Sequence, residues 1–470
     1  MTKIMTREDL RMHLQAQING ESIKQVPKPV DTVTVAEDIV DSPKPVFNVD
    51  QTTEPVQPNK RKKKRDIVLT PSQQSVVSKI KRWYSTTHGY GKFELAGFAG
   101  VGKSTVVDFI LEELGIRADQ VRMCAPTGTA SLVLKEKTPG YSCSTLHRLF
   151  FVPELMKDGR TRFVPSAENL YGVRLIIGDE FSMTGRRMAE EILPMAKKAG
   201  CKVLIVGDPG QLPPVKDEEY FFVNPDAILT EVLRQAADNP IVALSMAIRQ
   251  ATENGAPYIF PNRDQNINGK VFVINRSRVS IAQYAKVVSN GGVVIAGMNK
   301  TRQSLNQAIR THLGFNEPVL MDGETVVIKE NIDGGNNGEI QVTNGMRGTV
   351  SEIKKLNNGN TKFKFTPEAF DGYRYIEVNE DVLFERKTAS EIRKKNKELR
   401  VQGKREIPVG VEVQFGYVIT GHASQGSQWK TVYVINESGV FNRGADGYKN
   451  ANRWLYTVVT RAVENLVIIR

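Results

Sequence analysis

Apolar residues in this chain come in short runs separated by longer stretches of helical period. Phe93–Ala96, Val121–Ala125, Arg174–Gly178 and Lys202–Val206 read as short strands. Thr70 is placed to cap a helix that starts at Pro71, a favoured first-turn residue, and carries Val76, Val77 and Ile80 on one face towards Trp83. Helices are also predicted over Thr105–Leu114, from Ala130 onward, and over Met188–Ala196. Apolar strands alternating with such helices predict a parallel sheet covered on both faces.

The alternation breaks between His147 and Leu175. There Phe150-Phe-Val and Thr161-Arg-Phe-Val flank Lys157-Asp-Gly, which predicts a small hairpin turning at Asp158–Gly159. A second α/β set begins after Thr230, with strands at Val271–Ile274, Gly292–Ala296, Tyr417–Thr420, Thr431–Ile435 and Asn465–Ile469. Inserted in it, over about residues 345–409, Val342–Ile353, Lys362–Phe365 and Arg374–Asn379 alternate like strands of a small barrel. Glu385–Glu406 carries nine basic and four acidic residues and reads as an exposed charged helix or hairpin with a basic tip at Arg393–Lys397. Residues 1–65 differ from the rest: Pro27, Pro29, Pro43, Pro45, Pro55 and Pro58 interrupt every element except a short helix over Arg7–Ala16, which predicts a mostly disordered tail. It ends in six consecutive basic residues, Lys60–Arg65, readable as a solvated linker, a nucleic-acid contact or a targeting patch.

Length and charge sharpen this picture. At 470 residues the chain exceeds one hydrophobic core, so two to four domains are expected. Lys and Arg total 64 against 52 Asp and Glu, a formal +12 that fits either good solubility or a polyanionic partner. Cys124, Cys143 and Cys201 have no metal-ligand spacing and suit a reducing compartment. No apolar run reaches the roughly eighteen residues of a membrane span, and the N-terminus lacks a signal peptide's apolar segment. The expectation is a cytoplasmic protein that does not enter a membrane.

The chemistry starts in Glu94–Thr105, ELAGFAGVGKST. Gly97, Gly102, Lys103 and Ser104 fill the spacing G-x-x-x-x-G-K-[ST] between a strand and a helix start. Such a loop turns its backbone N–H groups onto phosphates, its lysine reaches the outer phosphates, and its hydroxyl is available to Mg²⁺. Asp179 and Glu180 end the next apolar strand group: Asp179 is the candidate Mg²⁺ ligand and Glu180 the candidate base for an attacking water. Gln211, after Gly207-Asp-Pro-Gly, is either a turn glutamine or a reader of the terminal phosphate and its water. Arg234 and Arg461 lie in or beside the second α/β set, either solvated or facing the cleft to stabilise transition-state charge.

Taken together, the motifs resemble those of the superfamily-one B, RecD-like DNA helicases that move 5′ to 3′, and within that group the compact helicases of T-even-type bacteriophages. The resemblance covers about residues 67–470. Leu69-Thr-Pro-Ser-Gln73 is similar to the adenine-recognition motif, and Gly97, Gly100, Gly102, Lys103, Ser104 and Thr105 fall in motif I. Ala125–Ser131 resembles motif Ia, Ser144–His147 motif Ib, Asp179–Met183 motif II and Gly207–Pro214 motif III. Leu229–Gln235 looks like motif IV, Thr420–Gly426 motif V and Tyr456–Ala462 motif VI. The resemblance implies that Gln73 reads adenine, that Gln211, Arg234 and Arg461 reach the γ-phosphate, and that Gly426 lies near the nucleotide. At Ala423 the chain lacks a lysine that the family often carries.

It also implies an architecture: two RecA-like P-loop motor domains, over residues 66–232 and over 233–344 with 410–470, plus a hairpin insertion at 148–170 and an SH3-like barrel at 345–409. The implied cofactors are ATP and Mg²⁺. The implied partners are single-stranded DNA and DNA forks, with phage replication or single-strand-binding proteins, for an enzyme functional as a monomer. Thr127, Thr129, His147 and His422 are the candidate strand contacts, although both histidines read from pattern alone as helix-start or packing residues. Phe150, Phe151 and Phe163 are candidate wedge or stacking residues of the pin, or anchors of its base. Two alternatives stay open: a DNA-stimulated ATPase that remodels protein–DNA complexes, and a phosphate-loop kinase indifferent to DNA. RNA is a further possible track.

Overall fold

The computed structural model describes residues 68–155, 161–233, 238–332, 339–444 and 446–470. The predicted tail with its Arg7–Ala16 helix and Lys60–Arg65 run, the Asp158–Gly159 turn and Arg234 lie outside the described residues.

The first α/β region opens with α1 (Pro71–Thr86), β1 (Gly91–Gly97), α2 (Lys103–Leu114), β2 (Val121–Ala125), α3 (Gly128–Lys137) and β3 (Ser142–Thr145). It continues through α4 (Leu146–Phe150), β4 (Phe151–Leu155), β5 (Thr161–Pro165), β6 (Leu175–Gly178), α5 (Arg186–Lys198), β7 (Lys202–Gly207) and β8 (Ala227–Leu229). Helix α1 begins as its sequence demands: the Thr70 hydroxyl accepts from the Gln73 N–H at 3.3 Å, and the Gln73 side chain accepts from the Thr70 N–H at 3.0 Å. The sheet has strand order β3-β2-β6-β7-β1-β8. Alternate residues enter opposite cores, so Leu204 and Val206 pack with Leu95 and Ile177 on one face, and Val203 and Ile205 with Ile176 on the other. Because the pairs β1–β7, β6–β7 and β2–β6 are all parallel, β1, β2, β6 and β7 leave the sheet at the same edge. The phosphate loop, the helix start after Ala125, Asp179–Glu180 and Gly207–Gln211 therefore gather there.

Strands β4 and β5 pair antiparallel as the predicted hairpin, with Phe151 opposite Pro165 and Leu155 opposite Thr161. Its base corrects two of the wedge assignments. Phe150 and Phe151, only 1% and 7% exposed, pack with Leu146, Leu149 and Phe181 in the core, so neither offers a free ring face. Phe163 is the exposed aromatic, at 58%.

The second α/β region comprises α6 (Pro240–Glu253), β9 (Gln265–Ile267), β10 (Val271–Ile274), α7 (Ile281–Ser289), β11 (Val293–Ala296) and α8 (Asn299–His312). After the insertion it resumes with β17 (Val418–Thr420), β18 (Trp429–Ile435), α11 (Gly447–Val459) and β19 (Ala462–Ile469). Its order is β17-β11-β18-β19-β10-β9, parallel except for the edge strand β9. Between them lie β12 (Thr325–Ile328), β13 (Arg347–Lys355), β14 (Thr361–Pro367), β15 (Arg374–Val378), α9 (Glu380–Leu383), α10 (Ala389–Val401) and β16 (Val413–Phe415). They form one antiparallel sheet, β15-β14-β13-β12-β16. This sheet is wider than residues 345–409: β12, from before the insertion, covers the edge of β13 that three strands alone would leave unpaired, and β16, from after it, pairs in turn with β12. Its Phe363 and Phe365 are continuous with the core under Val294 and Ala296.

One buried ion pair ties helix α8 to the residue just before β12, and so to the antiparallel sheet. Arg310 on α8 donates to Glu324 at 2.5 Å, with side chains 1% and 0% exposed, and also to the Val319 carbonyl at 2.6 Å. The guanidinium lies 5.0 and 5.2 Å from the Phe384 and Phe415 ring centres. Removing one partner strands a buried charge, so Glu324→Ala is expected to destabilise this region by about 3–5 kcal/mol, read as a lowered unfolding midpoint by circular dichroism. Among the described residues, no helix is long and apolar enough to cross a membrane.

Candidate nucleotide site

The phosphate loop runs from the end of β1 to the first turn of α2, with Gly100 and Gly102 at φ +77° and +80°. Gly102 is confined twice over: its left-handed backbone disfavours a side chain, and a Cβ there would lie 2.5 Å from the Gln73 amide nitrogen. Gln73 donates to the Val101 carbonyl at 3.0 Å, so the candidate adenine reader is already fastened to the loop. Lys103 folds back on its own loop, donating to the Gly97 and Phe98 carbonyls at 2.7 and 3.1 Å, with its ammonium 3.7 Å from Asp208. Ser104 is exposed at the helix start, and Thr105 is half-buried beside it.

Asp179 and Glu180 follow β6. The Glu180 N–H donates to the Asp179 carboxylate at 2.9 Å, and Glu180 takes a left-handed φ of +56°, which turns the chain sharply at the strand tip. Burial, and next the adjacent Glu180 charge, push the Asp179 carboxyl above its ordinary range; the Lys103 ammonium opposes this. The Gln211 amide donates to Glu180 at 3.1 Å, while its carbonyl oxygen is buried with no partner among the described residues. A water between Glu180 and that oxygen would find one acceptor that can take its proton and one that can orient it. This orphaned acceptor, beside loop glycines shaped for N–H donation, fits a terminal phosphate with its attacking water. The Ser104 hydroxyl and Asp179 carboxylate are oxygen donors suited to Mg²⁺.

The second region contributes from the α11–β19 corner. Arg461 is 4% exposed and donates to the Thr457 carbonyl at 2.9 Å, the Thr460 hydroxyl at 3.1 Å and the Ser427 carbonyl at 3.3 Å. Burial lowers its pKa, and the Glu180 and Asp208 charges pull it back up. Three residues to which sequence reasoning assigned no site role, Tyr456, Thr457 and Gln425, join the regions. The Tyr456 hydroxyl donates to Asp208 at 2.9 Å and accepts from the Ala99 N–H at 2.7 Å. Beside it, the Leu212 N–H donates to the Thr457 hydroxyl at 2.9 Å, and the Gln425 amide donates to the Leu212 carbonyl at 3.3 Å.

The candidate strand contacts form a different group. Thr127 caps α3, accepting from the Ala130 N–H at 3.2 Å, and Thr129 is buried with a hydroxyl that has no partner among the described residues. Gly426, at φ +79°, sits against this helix start: a Cβ on it would lie 3.0 Å from the Thr127 hydroxyl and 3.1 Å from Ala130. The atoms nearest that position thus belong to the Thr127–Ala130 helix start. His422 is half-buried at the tip after β17, its pKa lowered by burial, and His147 is exposed at the start of α4, its ring 5.6 Å from Phe151.

Comparison with known proteins agrees with this layout. Residues 69–263 match the AAA domain family, and residues 415–469 match the UvrD-like helicase C-terminal domain family. The chain is 27% identical over 412 residues to the ATP-dependent RecD2 DNA helicase of Deinococcus radiodurans, covering 84% of this chain and 48% of that protein. It is also 27% identical over 280 residues to the ATP-dependent DNA helicase dda of Enterobacteria phage T4, covering 55% of this chain and 62% of that protein. The chain thus spans about half to three-fifths of the length of these two relatives. Among solved structures, one of two coordinating Pif1 helicases at forked double-stranded DNA aligns with a TM-score of 0.51 at 18% identity, covering 86% of this chain and 92% of that one. Bacteroides Pif1 bound to single-stranded DNA aligns at 0.50 and 17%, covering 86% and 93%. At these identities the likeness is one of fold: two RecA-like α/β domains with inserted β-sheet.

Proposed function

We propose that this protein is an ATP-driven DNA helicase that moves 5′ to 3′ on single-stranded DNA and separates duplex ahead of it, acting as a monomer. The observation that carries the reading is the shared cleft: Ala99 and Asp208 of the first region are both bonded to the Tyr456 hydroxyl of the second, and the Leu212 N–H beside Gln211 is bonded to the Thr457 hydroxyl. A nucleotide held there is compensated by both regions only when they are close, so hydrolysis depends on closure and closure on nucleotide.

In this reading Gln73 holds the adenine edge, and the Gly97–Thr105 N–H groups and Lys103 hold the phosphates. Glu180 takes the proton of a water oriented by Gln211. The water oxygen bonds to the γ-phosphorus as the bond to the β–γ bridging oxygen breaks, giving ADP and phosphate, while Arg461 and Arg234 face the charge that spreads over the γ-oxygens. Ser104 and Asp179 would hold Mg²⁺, which supplies positive charge to the phosphate oxygens. Thr127, Thr129, His147 and His422 grip the strand, and the exposed Phe163 lies on the hairpin that meets the fork. Polarity and the role in phage replication, recombination or repair come from resemblance. The test is strand displacement from 5′-tailed and 3′-tailed forks: displacement restricted to the 5′ tail is expected, and displacement only from the 3′ tail reverses the polarity.

Helix α10 gives this reading a separate prediction. Arg393, Lys394, Lys395 and Lys397 are exposed on it, while the Asn396 amide fixes the helix by donating to the Ile407 carbonyl at 2.7 Å and accepting from its N–H at 2.8 Å. If these side chains meet duplex phosphates, replacing all of them by Ala lowers the slope of log affinity against log salt by about 0.9 for each phosphate they neutralise. An unchanged slope on forked DNA identifies them as solvated.

A further inference from the structure

The Tyr456 hydroxyl occupies a position that the hydrolysis mechanism does not explain. Tyr456 lies on α11 in the second region and is 2% exposed, yet its polar end reaches into the first region's phosphate loop. The Phe98–Ala99 peptide is held from both sides. Its carbonyl accepts from Lys103 at 3.1 Å, and its N–H donates to the Tyr456 hydroxyl at 2.7 Å. That hydroxyl spends its own proton on Asp208 at 2.9 Å. Asp208 in turn is 2% exposed, accepts from the Gly210 N–H at 2.9 Å, and has Lys103 as its salt-bridge partner at 3.7 Å. The ring is seated with equal care: it meets Phe98 edge to face at 6.5 Å, and a Cβ on Gly210 would approach it to 3.0 Å.

Lys103 must leave these partners to meet a phosphate. Its departure takes the cation from a buried carboxylate and frees the Phe98 carbonyl. Asp208 then keeps two donors, the Tyr456 hydroxyl and the Gly210 N–H, and losing either would leave a buried carboxylate short of partners once the lysine charge is gone. Tyr456 is the one of the two that comes from the second region. The peptide released by Lys103 is the one whose N–H holds Tyr456, so a change in loop occupancy acts on α11 directly. Arg461 follows that helix, and Thr457, next to Tyr456, carries the bond to Leu212 beside Gln211.

We propose that Tyr456 is a positioning residue that transmits phosphate-loop occupancy to the second region, holding Asp208 and the Phe98–Ala99 peptide in register as Lys103 moves between Asp208 and a phosphate. The inference rests on the ATP-driven reading above. Tyr456 acts through its bonded partners, Asp208 and the Ala99 N–H.

The test compares wild type, Tyr456→Phe, Asp208→Asn and the double variant by two readouts. In steady-state hydrolysis with saturating oligonucleotide, Tyr456→Phe is expected to lower kcat about tenfold or more while KM for ATP stays within about twofold. The double variant should be no worse than the poorer single, because both remove the same link. In hydrogen exchange with adenylyl-imidodiphosphate, wild type should gain protection over both Gly97–Thr105 and α11, and Tyr456→Phe should keep the first and lose the second. The inference is overturned if kcat stays within twofold, if the two single effects multiply, or if α11 still responds in Tyr456→Phe. A wild type in which Gly97–Thr105 gains no protection would bring down the nucleotide reading and this inference with it. Loop protection with an α11 that never responds would overturn this inference alone.

Discussion

Glu180→Gln is expected to reduce ATP hydrolysis by about 10²- to 10⁴-fold while nucleotide affinity stays near that of wild type. The substitution preserves shape and removes only the ability to accept a proton. The turn at Glu180 is set by its backbone, at φ +56°, so the side chain starts from the same place. Its bond from the Gln211 amide at 3.1 Å can be kept with the new amide's carbonyl. The groups that bind phosphate are elsewhere, on the loop and Lys103. Phosphate release measured beside a nucleotide titration separates the two quantities. Turnover close to wild type would move the proton acceptor to another residue.

Arg461→Lys is expected to cost about 10³-fold or more in kcat with little change in KM. Arg461 is held by three bonds from one planar group, to Thr457, Thr460 and Ser427, and a lysine ammonium cannot make them in that geometry. Its burial makes it strongly effective against developing charge and intolerant of a hydrated replacement. A proportionate rise in KM with unchanged kcat would show that the arginine binds the ground state as well as the transition state, and that closure does not control hydrolysis.

The two α/β regions are legible in the sequence because their signals are local. Each parallel strand is a short apolar run, and the residues proposed to act on phosphate stand within a few positions of its carboxyl end. Lys103, Glu180 and Gln211 are found that way, since strand ends in a parallel sheet point to one edge. Roles stay hidden where the chain's own pattern masks them. Tyr456 sits among Leu455, Val458 and Val459 on a buried helix, so its ring reads as core; only the fold shows the hydroxyl entering the opposite loop. Phe150 and Phe151 are ambiguous for the converse reason: a hairpin aromatic reads equally as a wedge or as an anchor of the base, and only the fold shows α4 and β4 turning these two into the core. Strands β12 and β16 escape notice because each is too short to alternate visibly, and their pairing to one another is long-range.

The most direct measurement of the shared, strand-responsive cleft is the rate of ATP hydrolysis by the full chain with and without a single-stranded oligonucleotide. The expected result is a rate that rises many-fold on adding the strand and stays low in Glu180→Gln under both conditions. A rate in wild type that is the same with and without the strand would contradict the account.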